Sequence, residues 1–139
     1  MTIKHKILLN YIKDLSVETP DPESLIAARE NISKYSLKLD LNSKVLKNRM
    51  MEVHTRLSYE DKISKKKTYF EMTYATIVRI EEEKPNSEEL KKFILCDLQI
   101  QIYPKIQKTF EEILKLSGFP ELYLKTAIDF NKLYNEKKN

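Results

Sequence analysis

The sequence predicts an α+β fold: a four-stranded antiparallel sheet, then a long helix and a short C-terminal helix, in a single domain spanning 1–139. Three observations lead there. Apolar and polar residues alternate with period two through the first two thirds of the chain, as half-buried antiparallel strands require. From Leu90 to Leu114 an apolar residue recurs at every fourth position, which lays an apolar stripe along a helix. Strands come first and helices last, the order of an α+β rather than an α/β domain.

Each element has its own signal. Residues 3–17 read as a first strand, with Ile7, Leu9 and Tyr11 alternating, and Thr19-Pro20-Asp21-Pro22 stops it because proline cannot donate to a ladder. A short helix is expected over 23–33. Residues 35–42 alternate Tyr35, Leu37, Leu39 and Leu41 with Ser36, Lys38, Asp40 and Asn42. Residues 51–59 do the same with Met51, Val53, Thr55, Leu57 and Tyr59. The polar segment 61–67, with Lys65-Lys66-Lys67, reads as a hairpin connection to a long strand over 68–80. That strand turns Phe70, Met72, Tyr74, Val78 and Ile80 to one face and Tyr69, Glu71, Thr73, Ala75 and Ile77 to the other.

Pro85-Asn86-Ser87-Glu88-Glu89 is a helix start. The stripe Leu90, Ile94, Leu98, Ile102, Ile106, Phe110 and Leu114 follows, widened by Phe93, Tyr103 and Ile113. Pro104 inside it is expected to kink or divide the helix. Ser117-Gly118-Phe119-Pro120 ends it by the C-cap logic of glycine. A last helix is expected over about 127–136, with Ile128, Phe130, Leu133 and Tyr134 apolar.

Composition narrows the function. The chain carries 25 basic and 21 acidic residues, a net charge of +4 with both signs interspersed. A dedicated nucleic-acid binder concentrates its charge on one face, so no nucleic-acid partner is expected. The single glycine rules out a Gly-rich phosphate loop. His5, His54 and Cys96 have no metal-ligand spacing, so neither a metal nor another cofactor is expected. Cys96 beside the helix stripe reads as a buried structural thiol. One cysteine permits no intrachain disulfide and fits a reducing compartment. The apolar run in MTIKHKILLN is too short for a secretory signal and no segment has the length of a membrane span, so the expected location is the cytoplasm. With no reactive cluster, the chain is not expected to be an enzyme.

Residues 11–20 read Y-I-K-D-L-S-V-E-T-P, which resembles the opening signature of the SecB family of protein-export chaperones: tyrosine, any residue, Lys-Asp, an aliphatic, serine, any residue, glutamate, any residue, proline. Lys38-Leu39-Asp40-Leu41-Asn42 is similar to the family's second strand, and Glu52-Val53 to its third. Ile102-Tyr103-Pro104 is similar to the aliphatic-aromatic-proline motif of its main helix. Gly118-Phe119-Pro120, Leu122, Leu124, Ile128-Asp129-Phe130 and Leu133-Tyr134 follow its C-terminal pattern. These segments occur in the family's order and span nearly the whole chain.

The resemblance implies two helices on one face of the sheet and a homotetramer, a dimer of dimers with the long helices between sheets. It implies a holdase that works without ATP and binds unfolded or presecretory clients in apolar grooves between sheet and helices. Leu37, Leu39 and Leu41 match groove-lining positions of the family. Pattern alone adds Met72, Tyr74, Tyr103, Phe130 and Tyr134, since flexible methionine and amphipathic tyrosine repack around varied sequences. Family members also dock on the SecA motor through acidic residues of the sheet's outer surface, and Asp14, Glu18 and Glu71 match those positions.

The chain departs from the family pattern in four places. Its net charge is basic where most relatives are acidic. The glycine pair of the fourth strand is replaced by Ala75-Thr76. The arginine expected after the helix proline is Gln107. The acidic tail is Asn135-Glu136-Lys137-Lys138-Asn139. These bear on SecA coupling more than on the fold. They leave open a SecB-like chaperone dedicated to one client, such as an antitoxin, and, from another class, a basic nucleic-acid-binding or adaptor module.

Overall fold

The computed structural model describes residues 3–61, 68–124 and 128–138. Four strands, β1 (His5–Glu18), β2 (Ser36–Val45), β3 (Met50–Glu60) and β4 (Tyr69–Ile80), form one antiparallel sheet in the order β1-β4-β3-β2. Helix α1 (Pro22–Glu30) and a 3-10 turn (Ile32–Lys34) join β1 to β2. Helix α2 (Ser87–Lys92) runs through a π-turn (Phe93–Asp97) into α3 (Leu98–Leu116), and α4 (Phe130–Lys138) closes the chain.

The two faces of the sheet differ as the alternation predicts. Met51, Val53, Leu57 and Tyr59 of β3, with Phe70, Met72, Tyr74 and Val78 of β4, are buried in the core formed with the helices. Phe93, Leu98, Ile106, Phe110 and Leu114 supply the helical side of that core, each fully buried. The opposite, outer face carries Glu52, His54, Arg56, Glu71 and Thr73.

In β1 the expected alternation fails. The register against β4 shifts between Ile7 and Leu9 and again between Ile12 and Asp14. A bulge inserts one residue and turns every later side chain to the other face. Ile7 therefore pairs with inward Val78, whereas Leu9 pairs with Ile77 and Tyr11 with Ala75 on the outer side. Leu9 is 61% exposed.

Local chemistry sets the helix ends. Asp21 accepts a hydrogen bond from the Ser24 amide at 2.7 Å, with Pro22 in the first turn of α1. Asn86 caps α2 through the Glu89 amide at 2.7 Å. At the end of α3 the Phe119 amide donates to the Leu114 carbonyl at 3.1 Å across Gly118, whose φ is +107°. This is the glycine-dependent helix stop predicted from Ser117-Gly118-Phe119-Pro120. Pro104 does not divide the helix: α3 runs through it, and the irregularity lies earlier, in the π-turn. The missing proline amide would have served the carbonyl of Ile100, which lies on the exposed side where water can reach it.

The expected connection 61–67 falls, after Asp61, outside the described residues, as does the start of the last helix at Ala127. Helix α4 begins at Phe130 instead, where Asp129 accepts from the Lys132 amide at 3.1 Å.

Candidate functional site

A groove runs between the edge strand β2 and helix α4. Its sheet wall is Leu37, Leu39 and Leu41, half-buried on the inner face. Its helical wall is Leu133 and Tyr134 of α4, with Ile128 before the helix and Leu95 from the π-turn at its base. Lys38, Asp129, Lys132 and Glu136 place charge of both signs along the rim. The cavity holds about 570 Å³. A second hollow of about 390 Å³ shares Leu37, Leu39 and Ile128 and extends past Tyr35, Tyr59 and Tyr123. Together they make one long apolar trough beside an edge strand.

The edge position explains the half-burial. Among the described residues strand β2 pairs only with β3, so its inward leucines have strand neighbours on one side only. Side chains two residues apart on a strand stand roughly 7 Å apart, the same repeat as alternate side chains of any extended polypeptide. At the trough's far end the Tyr35 and Tyr59 rings pack with centroids 5.3 Å apart, and the Tyr35 hydroxyl donates to the Thr68 carbonyl at 2.6 Å. Burial raises the pKa of both phenols, so these rings stay neutral and present carbon to the trough.

The sequence-derived groove residues separate into two groups. Leu37, Leu39, Leu41 and Tyr134 line the trough. Met72, Tyr74, Tyr103 and Phe130 lie in the core. The Tyr103 and Phe130 rings meet edge-on at 5.3 Å and fix α4 on α3. Burial pushes the Tyr103 phenol up to about 12. Leu95 was not among the sequence candidates for the groove, which drew on the β2 leucines and on methionine, tyrosine and phenylalanine. Ile128 and Leu133 could have been found, as apolar members of the last helical segment.

The departure at Gln107 also has a structural role. Its amide donates to the Leu124 carbonyl at 2.9 Å and to Glu111 Oε1 at 3.2 Å, pinning the segment after Gly118 to α3.

On the outer face, Asp14 and Glu18 of β1 and Glu71 of β4 share one side of two adjacent strands, with Asp14 paired to Thr73, Ser16 to Glu71 and Glu18 to Tyr69. Asp14 and Glu18 are exposed, whereas Glu71 forms an ion pair with Arg56. Glu52, 8% exposed, accepts from Tyr11, Lys13 and His54. Those three hydrogen bonds, His54's foremost, hold its carboxyl down at about 2. This face is thus a mosaic of paired charges rather than an acidic field. Among the described residues no cluster of His, Cys, Asp or Glu could hold a metal ion, and no helix is long and apolar enough to cross a membrane.

Comparison with known proteins gives the same answer from sequence and from fold. The family described as "Preprotein translocase subunit SecB" matches residues 2–139. Over 140 residues the chain is 43% identical to a Pelagibacter ubique protein provisionally named as a protein-export protein SecB, covering 100% of both chains. It is 30% identical to the protein-export protein SecB of Rickettsia bellii, with 91% of this chain and 83% of that protein covered. Among solved structures, the SecB-like chaperone Rv1957 of Mycobacterium tuberculosis, in complex with a peptide from the HigA1 antitoxin, has the same fold. The TM-score is 0.66 at 14% identity, covering 88% of this chain and 90% of that one. A profile match from end to end, a full-length relative and a shared fold agree that the chain belongs to the SecB family, a protein-export chaperone and not an enzyme.

Proposed function

We propose that this chain is a cytoplasmic holdase that binds unfolded or presecretory polypeptides in the trough between β2 and α4 without ATP. The observation that carries this reading is the row Leu37, Leu39 and Leu41, half-buried beside an edge strand and facing Leu133 and Tyr134. Many weak apolar contacts at the repeat of an extended chain favour any unfolded segment over a folded surface. A homotetramer accompanies this function. Ile100 (50% exposed) and Leu116 (86% exposed) on α3, and Ile12 and Leu15 on the edge strand β1, leave apolar surface that a second copy would cover.

SecA is the proposed acceptor, through Asp14, Glu18 and Glu71. Their common face supports this, and the Glu71–Arg56 pair limits how much free negative charge that face offers. The peptide held by the Mycobacterium tuberculosis neighbour, from an antitoxin, favours a second reading in which the same trough serves one dedicated client.

The test is suppression of aggregation of a reduced, unfolded protein, with mass in solution measured by light scattering. A tetramer that stops aggregation at stoichiometric amounts, with or without ATP and with little effect of salt, supports the holdase. A protein that leaves aggregation unchanged but retards DNA or RNA at low salt would place it in the basic nucleic-acid-binding class instead. The triple substitution Asp14→Asn, Glu18→Gln, Glu71→Gln is expected to abolish SecA binding and spare aggregation suppression.

A further inference from the structure

We infer that Gln99 is a positioning residue of the trough: acting through the π-turn, it holds Leu95 in place at the trough's base, an inference that rests on the trough being the client site. In an α-helix, residues five apart point about 140° away from each other. Phe93 and Leu98 are nevertheless both fully buried, and so, nearly, are Ile94 and Gln99. The π-turn makes this possible, with the Leu98 amide donating to the Phe93 carbonyl. Such turns are rare, recur as single turns within α-helices and are frequent at functional sites.

Gln99 ties this turn to the sheet. Its side chain is fully buried, beside the equally buried Thr55, in a layer that is mainly apolar. Its Oε1 accepts from Thr55 Oγ1 of β3 at 3.1 Å, and its Nε2 donates to the Ile94 carbonyl within the turn at 3.4 Å. Apolar residues at both positions 55 and 99 would fill the space with no polar group to desolvate, so core packing alone calls for neither the threonine nor the glutamine. The amide instead bridges β3 to the widened turn.

The turn borders the trough and touches its helical wall. Leu95 lines the same cavity as the β2 leucines. Cys96, the next residue, is fully buried with its Sγ 3.1 Å from Asn131 Oδ1 on α4. Relaxing the π-turn to α-helix would rotate the residues before it by about 100° relative to α3, and Leu95, at the centre of the turn, would move with that rewinding.

The test uses the full chain in a Cys96→Ala background with Leu95→Cys as a reporter thiol. Its labelling rate by a small maleimide is compared with and without Gln99→Leu, and with and without Thr55→Val. In the otherwise unaltered chain, binding of a fluorescent, extended peptide with leucine at alternate positions is followed by anisotropy for the same substitutions. Gln99→Leu is expected to lower the melting temperature, because the buried Thr55 hydroxyl loses its acceptor, and to weaken peptide binding about tenfold or more at temperatures where the protein is still folded. It should also change the labelling rate several-fold. Thr55→Val should move both readouts the same way by less, and it carries the test if Gln99→Leu does not fold. Unchanged labelling and unchanged binding overturn the inference, as does a loss of binding that merely tracks a loss of melting temperature. If the unaltered protein fails to bind the peptide, the client reading of the trough falls. The labelling rates then still decide whether Gln99 positions Leu95.

Discussion

Tyr11 and Glu52 lie 41 positions apart in sequence and two strands apart in the sheet, yet the Tyr11 hydroxyl donates to Glu52 Oε2 at 2.5 Å. Ala75 of the intervening β4 pairs with Tyr11 on one side and His54 on the other. Its small side chain lets Tyr11 and Lys13 reach across β4, and their cover leaves Ala75 fully buried on an otherwise open face. The network clips edge strand β1 to β3 over the top of β4.

That network makes stability depend on acid. Glu52 is held at about 2, below its ordinary 4.5, by hydrogen bonds from His54, Lys13 and Tyr11. Between those values the unfolded chain takes up a proton that the folded chain refuses, so stability falls with pH. The contribution is complete above about 4.5 and lost as pH falls through about 2. Glu52→Gln should flatten the stability curve in this window, measured by urea unfolding from pH 6 to pH 2. An unchanged acid slope would mean the network contributes nothing.

Tyr103 makes the opposite prediction at alkaline pH. Its hydroxyl is buried without a hydrogen-bond partner among the described residues. Removing an unsatisfied buried hydroxyl costs little, so Tyr103→Phe should change stability by less than about 1 kcal/mol at neutral pH, or raise it. The phenol ordinarily ionises near 10.0 and is pushed to about 12 by burial. As pH rises from 10 toward 12, unfolding releases a proton and stability drops. Tyr103→Phe should remove that share of the alkaline loss, seen in thermal melts from pH 9 to pH 11.

Gly118 should tolerate no side chain. With φ at +107°, an added Cβ would be strained, and it would meet Leu25 Cδ1 of α1 at 3.0 Å. Gly118→Ala is expected to destabilise by about 1–2 kcal/mol. The turn between β2 and β3 offers the converse: Asn48 and Arg49 have φ of 59° and 63°, the signature of a tight hairpin turn that favours glycine at the second position. Arg49→Gly should stabilise by roughly 0.5–1 kcal/mol. Both are read from the midpoint of urea unfolding.

Period-two alternation placed β2, β3 and β4 and the faces of β3 and β4 correctly because each meets the core on one side only. Strand β1 broke the pattern at its bulges, which shift register without leaving a mark on composition; Leu9 thus reads as inward and lies outward. The stripe from Leu90 to Leu114 gave the helix but not its π-turn, since period four is compatible with either winding. The groove was half legible. Leu37, Leu39 and Leu41 stood out as alternating residues of a strand similar to a known one. Nothing in the sequence told that β2 lies at the sheet edge, where leucines stay half-buried, and β4 at its centre, where Met72 and Tyr74 vanish into the core.

That distinction yields a prediction that separates groove from core. Leu39 is half-buried at the trough, so Leu39→Asp should cost about 1–2 kcal/mol of stability while placing a charge where an apolar client side chain would sit. Aggregation suppression should fall about tenfold or more with the fold intact by circular dichroism. Met72 is fully buried at the centre of the sheet, so Met72→Ala should cost about 2–5 kcal/mol and reduce client binding only as far as it unfolds the protein. Leu9→Asp, on the opposite face, serves as the control and should leave suppression unchanged. If Leu39→Asp retains full suppression at temperatures where it is folded, clients do not use the β2 leucines. If Met72→Ala instead loses suppression while remaining folded, the binding surface includes residues that open only when a client inserts between sheet and helices.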